Sequence, residues 1–173
     1  MPKARFVSGA RRVTQRAVRR NFVAGKAFGP FEGAPMSPAS HHADAPLVAV
    51  RPDRKIDTAQ RLPYFVGISA QTAGATGLSM HIVVIPPGGH ATAHVHVGFE
   101  TAVYVLEGRV ETRYGPGLRK SIATSAGEFL FIPPGVPHQA FNLSDTTAVR
   151  AVIARNAPGE QETVQPYDPA DDA

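Results

Sequence analysis

Two short stretches of the chain place imidazole and carboxylate side chains at spacings that suit metal binding. The first, HVHVGFE, carries His94, His96 and Glu100. In a strand, the spacing of two residues puts both imidazoles on the same face. The second, PPGVPHQAFN, carries His138 after a Pro-Pro-Gly turn and Asn142 four residues later. Imidazoles and carboxylates bind divalent transition metals, so the two stretches together indicate a metal site, although either one alone also suits core histidines.

The surrounding sequence predicts β-strands that would position these residues. Between residues 46 and 155, runs rich in Val, Ile, Phe, Tyr and Thr are separated by Gly and Pro roughly every 8–12 residues. The runs are PLVAVR, LPYFVGIS, LSMHIVVIP, ATAHVHV, TAVYVLEG, EFLFIPPG, HQAFNLS and TAVRAVIAR, and RVETRYGPGLRKSIA predicts a hairpin. No run in this range predicts a helix. We therefore expect an all-β, double-sheet jelly-roll barrel over 46–155, preceded by an N-terminal arm (1–45) and followed by a tail (156–173).

Both stretches resemble the two motifs of the cupin superfamily, G-x5-H-x-H-x(3 or 4)-E-x6-G and G-x5-P-x-G-x2-H-x3-N. The second motif is matched at Gly127, Pro133, Gly135, His138 and Asn142, and the first at Gly88, His94, His96 and Glu100. The resemblance extends over roughly residues 46–155. It implies a single-domain cupin (a double-stranded β-helix), a homodimer, and a metal held by His94, His96, Glu100 and His138.

The position of the carboxylate departs from the family pattern by one residue. The glycine expected six residues after Glu100 is replaced by Glu107, and Gly108 follows it, so counting back from Gly108 gives Thr101. In a regular strand one step turns a side chain to the opposite face, and the alternating apolar residues that follow do not select a face. We favour Glu100, because a carboxylate would offset a divalent charge in a low-dielectric pocket. A bulge or an altered turn at residues 97–99 would turn the Glu100 side chain inward. The alternative is a metal held by the three histidines and completed by water.

The implied ligand set suits Fe, Mn, Ni, Co or Zn without selecting among them. We expect a metal-dependent enzyme of the dioxygenase or isomerase/lyase type acting on a small organic substrate in the barrel. The cations nearest the motifs are Arg109, Arg113, Arg119 and Lys120 on the predicted hairpin. A phosphosugar would need a cation inside the pocket, so we favour an oxygen-using or enolisable-carbonyl substrate. The alternatives are a non-catalytic binding or sensing module, and a metal that only stabilises the barrel.

Two further residues are candidates for a place beside the ligands. His81 lies among apolar residues and is either a proton carrier in the lumen or a hydrogen-bonded core histidine. Tyr104 is either a core residue or part of the pocket wall. His90 follows a Gly-Gly turn, and we expect it to be solvated.

Composition limits the other possibilities. The chain of 173 residues has no cysteine, so it offers only nitrogen and oxygen ligands and no disulfide. No apolar run approaches the roughly 20 residues that span a bilayer, and we expect a cytoplasmic protein. The net charge of +4 comes from eight Lys and Arg without an acid in residues 1–31, and the remainder carries −4.

The N-terminal arm is the basic part of the chain. Phe6, Ala10, Val13 and Ala17 would share one helical face among arginines, which is similar to a transit peptide. The alternatives, which we favour, are a solvated tail or a natural start near Met36. We expect no nucleic-acid contact through this arm.

Overall fold

A computed structural model describes residues 46–161 and 163–172. The N-terminal arm, and with it every prediction made for residues 1–45, lies outside the described residues. Eleven strands lie in this part of the chain. They are β1 (Lys55–Asp57), β2 (Pro63–Ile68), β3 (Ser79–Ile85), β4 (His94–His96), β5 (Thr101–Glu107), β6 (Arg109–Tyr114), β7 (Lys120–Ser125), β8 (Phe129–Ile132), β9 (His138–Asn142), β10 (Val149–Arg155) and β11 (Val164–Pro166).

The strands form two antiparallel sheets. One has six strands in the order β1-β2-β3-β10-β5-β8, and the other has five in the order β11-β4-β9-β6-β7. Strands that follow each other in sequence often lie in different sheets, as β3 and β4 or β9 and β10 do, which is the connectivity of a jelly roll. The prediction of an all-β fold of this type is confirmed.

The hydrophobic core consists of side chains from both sheets that alternate with outward-facing residues along each strand. In β3 and β10 every second residue is buried, in the pattern expected for a strand with one face on the core. The core cluster comprises Leu62, Tyr64, Val83, Ile85, Ala91, Val105, Val110, Val149, Ala151 and Ile153. Burial of these side chains, at roughly 1.5–3 kcal/mol for each large one, is the main stabilising contribution to the barrel.

Three local features differ from the sequence prediction. The run PLVAVR forms no strand, and the first strand begins at Lys55. A four-residue helix, α1 (Ala70–Ala73), follows β2, and Ser69 caps it through reciprocal hydrogen bonds with Thr72. The segment expected to be a tail contributes β11, which pairs with β4. No helix in the described ranges is long and apolar enough to cross a membrane.

Candidate metal centre

Three of the four predicted ligands meet at one end of the five-stranded sheet. His94 and His96 both point inward from β4, and His138 is the first residue of β9. The two strands pair with His94 directly opposite His138. The three rings are buried, and their centroids lie 4.4–5.0 Å apart. One nitrogen from each ring lies within 4.8 Å of the other two, so the three can share one ion.

Each ring is held by a hydrogen bond at its other nitrogen. The Nδ1 atoms of His94 and His138 lie 2.7 Å and 2.9 Å from the backbone carbonyls of Thr92 and Val136. A carbonyl only accepts, so both Nδ1 atoms carry the proton and both Nε2 atoms present a lone pair. The Nε2 atoms of His94 and His96 are 3.2 Å apart. The donor set therefore has the chemistry that a divalent transition metal requires.

Burial keeps the three histidines neutral. It lowers the pKa of His94 and of His96 to about 4, and the pKa of His138 to about 3. For His94 the carbonyl of Thr92 opposes this shift, and the positive charge of Arg155 adds to it for His94 and His96. Because only the neutral imidazole binds a metal, the rings are in the competent form throughout the neutral pH range.

The structure does not bring Glu100 to the cluster. Its side chain is exposed, its backbone N–H donates to Asn156 Oδ1 at 2.8 Å, and Asn156 Nδ2 lies 3.5 Å from its carboxylate. The turn at Gly98 has a positive φ of 78°, as expected for an altered turn, but the side chain that it turns inward is Phe99. Phe99 is buried and stacks on His96 with ring centroids 4.9 Å apart. The geometry thus supports the alternative of three histidines and solvent.

Thr101 occupies the inward position at the start of β5. Its side chain is buried, and its hydroxyl lies 2.8 Å from His96 Nδ1. Thr101 therefore gives His96 the contact that backbone carbonyls give to the other two rings. Counting back from Gly108 is the sequence signal that singles out this residue.

Neither residue considered for a place beside the ligands contacts the cluster. His81 is buried on the inner face of β3, where Gly67 N–H donates to its Nδ1 at 3.2 Å and Tyr64 is its aromatic neighbour. It is thus a core histidine whose Nδ1 accepts a hydrogen bond. Tyr104 lies on the outer face of β5 with its ring 4.5 Å from that of Phe129. The alternation of β5 explains this, because Val103 and Val105 take the inward positions.

The histidine cluster lines a cavity between the two sheets. The wall is otherwise mainly aliphatic, and its polar members besides the histidines are Gln60, Tyr64, Thr101 and Thr112. Among the described residues, no Lys, Arg, Asp or Glu lines this cavity. The interior is thus suited to a ligand with an apolar body whose polar end meets the three imidazoles.

Sequence reasoning missed one charged residue near the site. Arg155, the last residue of β10, is buried, and its guanidinium carbon lies 5.3 Å from the centroid of the Tyr64 ring. Its positive charge lowers the pKa of His94 and His96. The alternation of Val149, Ala151 and Ile153 in TAVRAVIAR predicts an inward Arg155, so the signal was present in the sequence.

Residues 81–154 match the protein family described as Cupin domain. This match runs from His81 in β3 to Ala154 in β10, and both histidine stretches lie within it. Together with the two-sheet architecture, this match supports the assignment of this part of the chain to the cupin superfamily.

Each of the following similar proteins and solved structures matches only part of this chain. A germin-like protein of Arabidopsis thaliana (subfamily T member 3) is 34% identical over 90 residues, which is 49% of this chain and 38% of that protein. An oxalate decarboxylase from Lactobacillus farciminis, in a formate complex, has a TM-score of 0.55 at 19% identity over 65% of this chain and 33% of that one. The polyketide cyclase RemF from Streptomyces resistomycificus has a TM-score of 0.53 at 22% identity over 77% of this chain and 87% of that one. The structural likenesses, all below 25% identity, establish the fold.

Proposed function

We propose that the protein is a metal-dependent enzyme that acts on a small organic substrate inside the barrel, with His94, His96 and His138 as the metal ligands. The observation that carries this proposal is the convergence of three neutral imidazoles on a cavity whose wall is otherwise mostly apolar. A metal bound there would act as a Lewis acid or bring substrate and oxygen together.

The charge of the site favours a substrate with an anionic or enolisable oxygen. Three neutral histidines leave a divalent charge uncompensated, and no carboxylate among the described residues lines the cavity. Arg155 adds positive potential from behind Tyr64. An uncompensated charge in a low-dielectric cavity attracts a negative group, so we expect a carboxylate or an enolisable carbonyl at the histidine end.

The chain's own side chains would position such a substrate. Leu62, Val83 and Ile153 form part of the aliphatic wall and would hold an apolar body. Phe99, stacked on His96, shields that ring from water. A phosphosugar is disfavoured, because a phosphate is normally bound by cations and none lines the cavity in the described part of the chain.

The first test is metal content. Full-length protein purified without chelator should contain a transition metal, and His94→Ala, His96→Ala and His138→Ala should each lose most of it. His90→Ala is the matched control, because His90 is an exposed histidine that packs on Phe141 outside the cluster. Elemental analysis would measure the metal content, and an unchanged content in all three variants would refute the metal site.

The second test separates an enzyme from a binding module. Acetylacetone, oxalate and glucose 6-phosphate would be titrated calorimetrically into the metal-loaded and the metal-free chain, followed by oxygen-consumption and product assays on a metabolite panel. We expect metal-dependent binding of the first two probes and metal-dependent turnover of a related compound. Metal-dependent binding without conversion of any panel member would instead favour the sensing alternative.

A further inference from the structure

The strand that carries two of the three candidate ligands is held mainly from one side. β4 has three residues, and every one of them pairs with a residue of β11. On its other side β4 pairs with β9 only where His94 lies opposite His138, and the N–H of Gly135 donates to the carbonyl of His96 at 2.9 Å. The positions of His94 and His96 therefore depend largely on β11.

β11 belongs to a segment, residues 163–172, that we call the C-terminal strap. Backbone hydrogen bonds tie it to both ends of β4, since Thr163 accepts at 3.2 Å from the residue after β4 and Tyr167 donates at 3.1 Å to the residue before it. Hydrogen-bonded and non-bonded pairs alternate along antiparallel strands. Gln165, midway between these two residues, is therefore also hydrogen-bonded to β4, and the three bonds form one continuous ladder.

The far end of the strap is pinned to the turn between β6 and β7. The hydroxyl of Tyr167 accepts from the N–H of Gly117 at 2.7 Å and donates to the carboxylate of Asp172. The guanidinium of Arg119 donates to the backbone carbonyl of Asp172 at 2.8 Å. The hairpin that contains this turn pairs with β9, the strand of His138. The strap thus ties the strand of two candidate ligands to the hairpin that supports the third.

The strap is held by hydrogen bonds and contributes little to the core. None of residues 163–172 is buried. A segment with few buried apolar contacts opens locally at a much lower free energy than the whole domain unfolds. Opening of the strap would leave β4 as an edge strand of three residues and would loosen the two imidazoles that it carries.

We infer that the C-terminal strap positions the histidine cluster, so that metal binding and strap docking stabilise each other, with Tyr167 as the positioning residue at the far end. A metal shared by the three imidazoles fixes β4 relative to β9, which is the arrangement that the docked strap also favours. By linkage, the factor by which metal stabilises docking equals the factor by which docking raises metal affinity. The inference rests on the proposed metal site and adds to it a segment that contains no histidine.

Hydrogen exchange of the full-length chain, metal-free and loaded with Zn²⁺, measures strap docking. Zinc should slow the exchange of residues 163–172 by about tenfold, a typical size for such a coupling. β7, at the opposite edge of the same sheet, is the internal reference and should change little. Equal slowing in the strap and in β7 would mean that zinc stabilises the barrel as a whole, and it would overturn the inference.

Two variants undock the strap without touching a candidate ligand. Gln165→Pro removes the central N–H of the ladder and should weaken zinc affinity by the same factor as the exchange effect, about tenfold. Tyr167→Phe removes the hydroxyl that forms the pin and should weaken it by about threefold. Gln165→Ala keeps the backbone N–H, and Tyr104→Phe removes a hydroxyl from the outer face of the other sheet. Both are matched controls and should keep the wild-type affinity, measured by competition with a chromophoric chelator.

Thermal unfolding of the metal-free chain separates positioning from a purely structural role. All four variants should unfold cooperatively and close to wild type, because no strap residue is buried. A lower midpoint for Gln165→Pro with unchanged zinc affinity would overturn the inference. Zinc binding by wild type with unchanged exchange of the strap would also overturn it and would leave the proposed metal site intact. Failure of wild type to bind zinc would refute the metal site itself, and the inference with it.

Discussion

At the residue scale, Thr101 and Glu100 show how one step along the chain decides which side chain faces the histidine cluster. The hydroxyl of Thr101 contacts His96 Nδ1, whereas the carboxylate of Glu100 lies outside beside Asn156. The three histidines could be anticipated from spacing and from the family motifs. The fourth position could not, because a spacing motif counts residues and does not report which face a side chain takes after an irregular turn.

Substitutions of Thr101 and Glu100 should have opposite effects on metal affinity from those that a Glu100 ligand would give. Thr101→Val removes the hydrogen bond that orients His96, and it should weaken metal affinity by about tenfold, the lower end of what partners of metal-bound histidines contribute. Glu100→Gln should leave affinity nearly unchanged. Competition with a chromophoric chelator would measure both variants. A tenfold loss in Glu100→Gln with none in Thr101→Val would return Glu100 to the ligand set.

Away from the histidine cluster, the titration of His81 is coupled to folding. Burial lowers the pKa of His81 to about 4, and the positive charges of Arg155 and Arg54 add to this shift. The hydrogen bond to the backbone of Gly159 and the negative charge of Glu160 oppose it. In the unfolded chain His81 titrates near 6.5. From pH 6.5 down to about 4, therefore, only the unfolded chain binds this proton, and the free energy of unfolding decreases.

The matched variant is His81→Asn, whose side-chain oxygen can still accept from Gly67 N–H. Urea unfolding of wild type and variant at pH 7.5, 5.5 and 4.5 would isolate the contribution of His81. The stability advantage of wild type should be largest at pH 7.5 and should shrink toward pH 4.5. An advantage that is constant across this range would contradict the coupling.

At the element scale, β5 was ambiguous because both of its faces are apolar. Val103 and Val105 face the interior, and Ala102, Tyr104 and Leu106 form part of the outer face. An ordinary surface strand would have polar residues at the outward positions, and the alternation would then have identified Thr101 as inward. These apolar outward residues thus removed the signal that would have located the site. In β10, by contrast, the exposed Arg150 marks the outer face, and the alternation places Arg155 inward.

Gly108 joins β5 to β6 and fixes where both strands lie. Its φ is +83°, and an added Cβ would lie 3.0–3.2 Å from atoms of Ala148 and Val149. Gly98 also has a positive φ, but a Cβ there would meet open space. Gly98→Ala should therefore cost about 1–2 kcal/mol from the left-handed backbone alone. Gly108→Ala should cost about 1–3 kcal/mol more through crowding.

Urea denaturation of the two glycine variants would measure this difference. Equal losses of stability would mean that the β5–β6 connection adjusts around an added methyl group. A larger loss for Gly98→Ala would show that the turn before β5, and with it the position of Phe99, is the more constrained of the two.

At the scale of the whole molecule, the division into a basic arm and a barrel is still a prediction from composition. All members of the core cluster lie between Leu62 and Ile153, and the candidate metal ligands lie between them as well. Residues 1–35 carry eight basic side chains and one acidic residue.

A chain that begins at Met36 should therefore keep a cooperative thermal transition and its full metal content, since the change removes charge and no member of that core. Circular dichroism melting and elemental analysis of the shortened and the full-length chain would measure both quantities. Loss of cooperative unfolding would show that the arm contributes to folding, whereas retained folding with loss of metal would assign it a role at the metal centre.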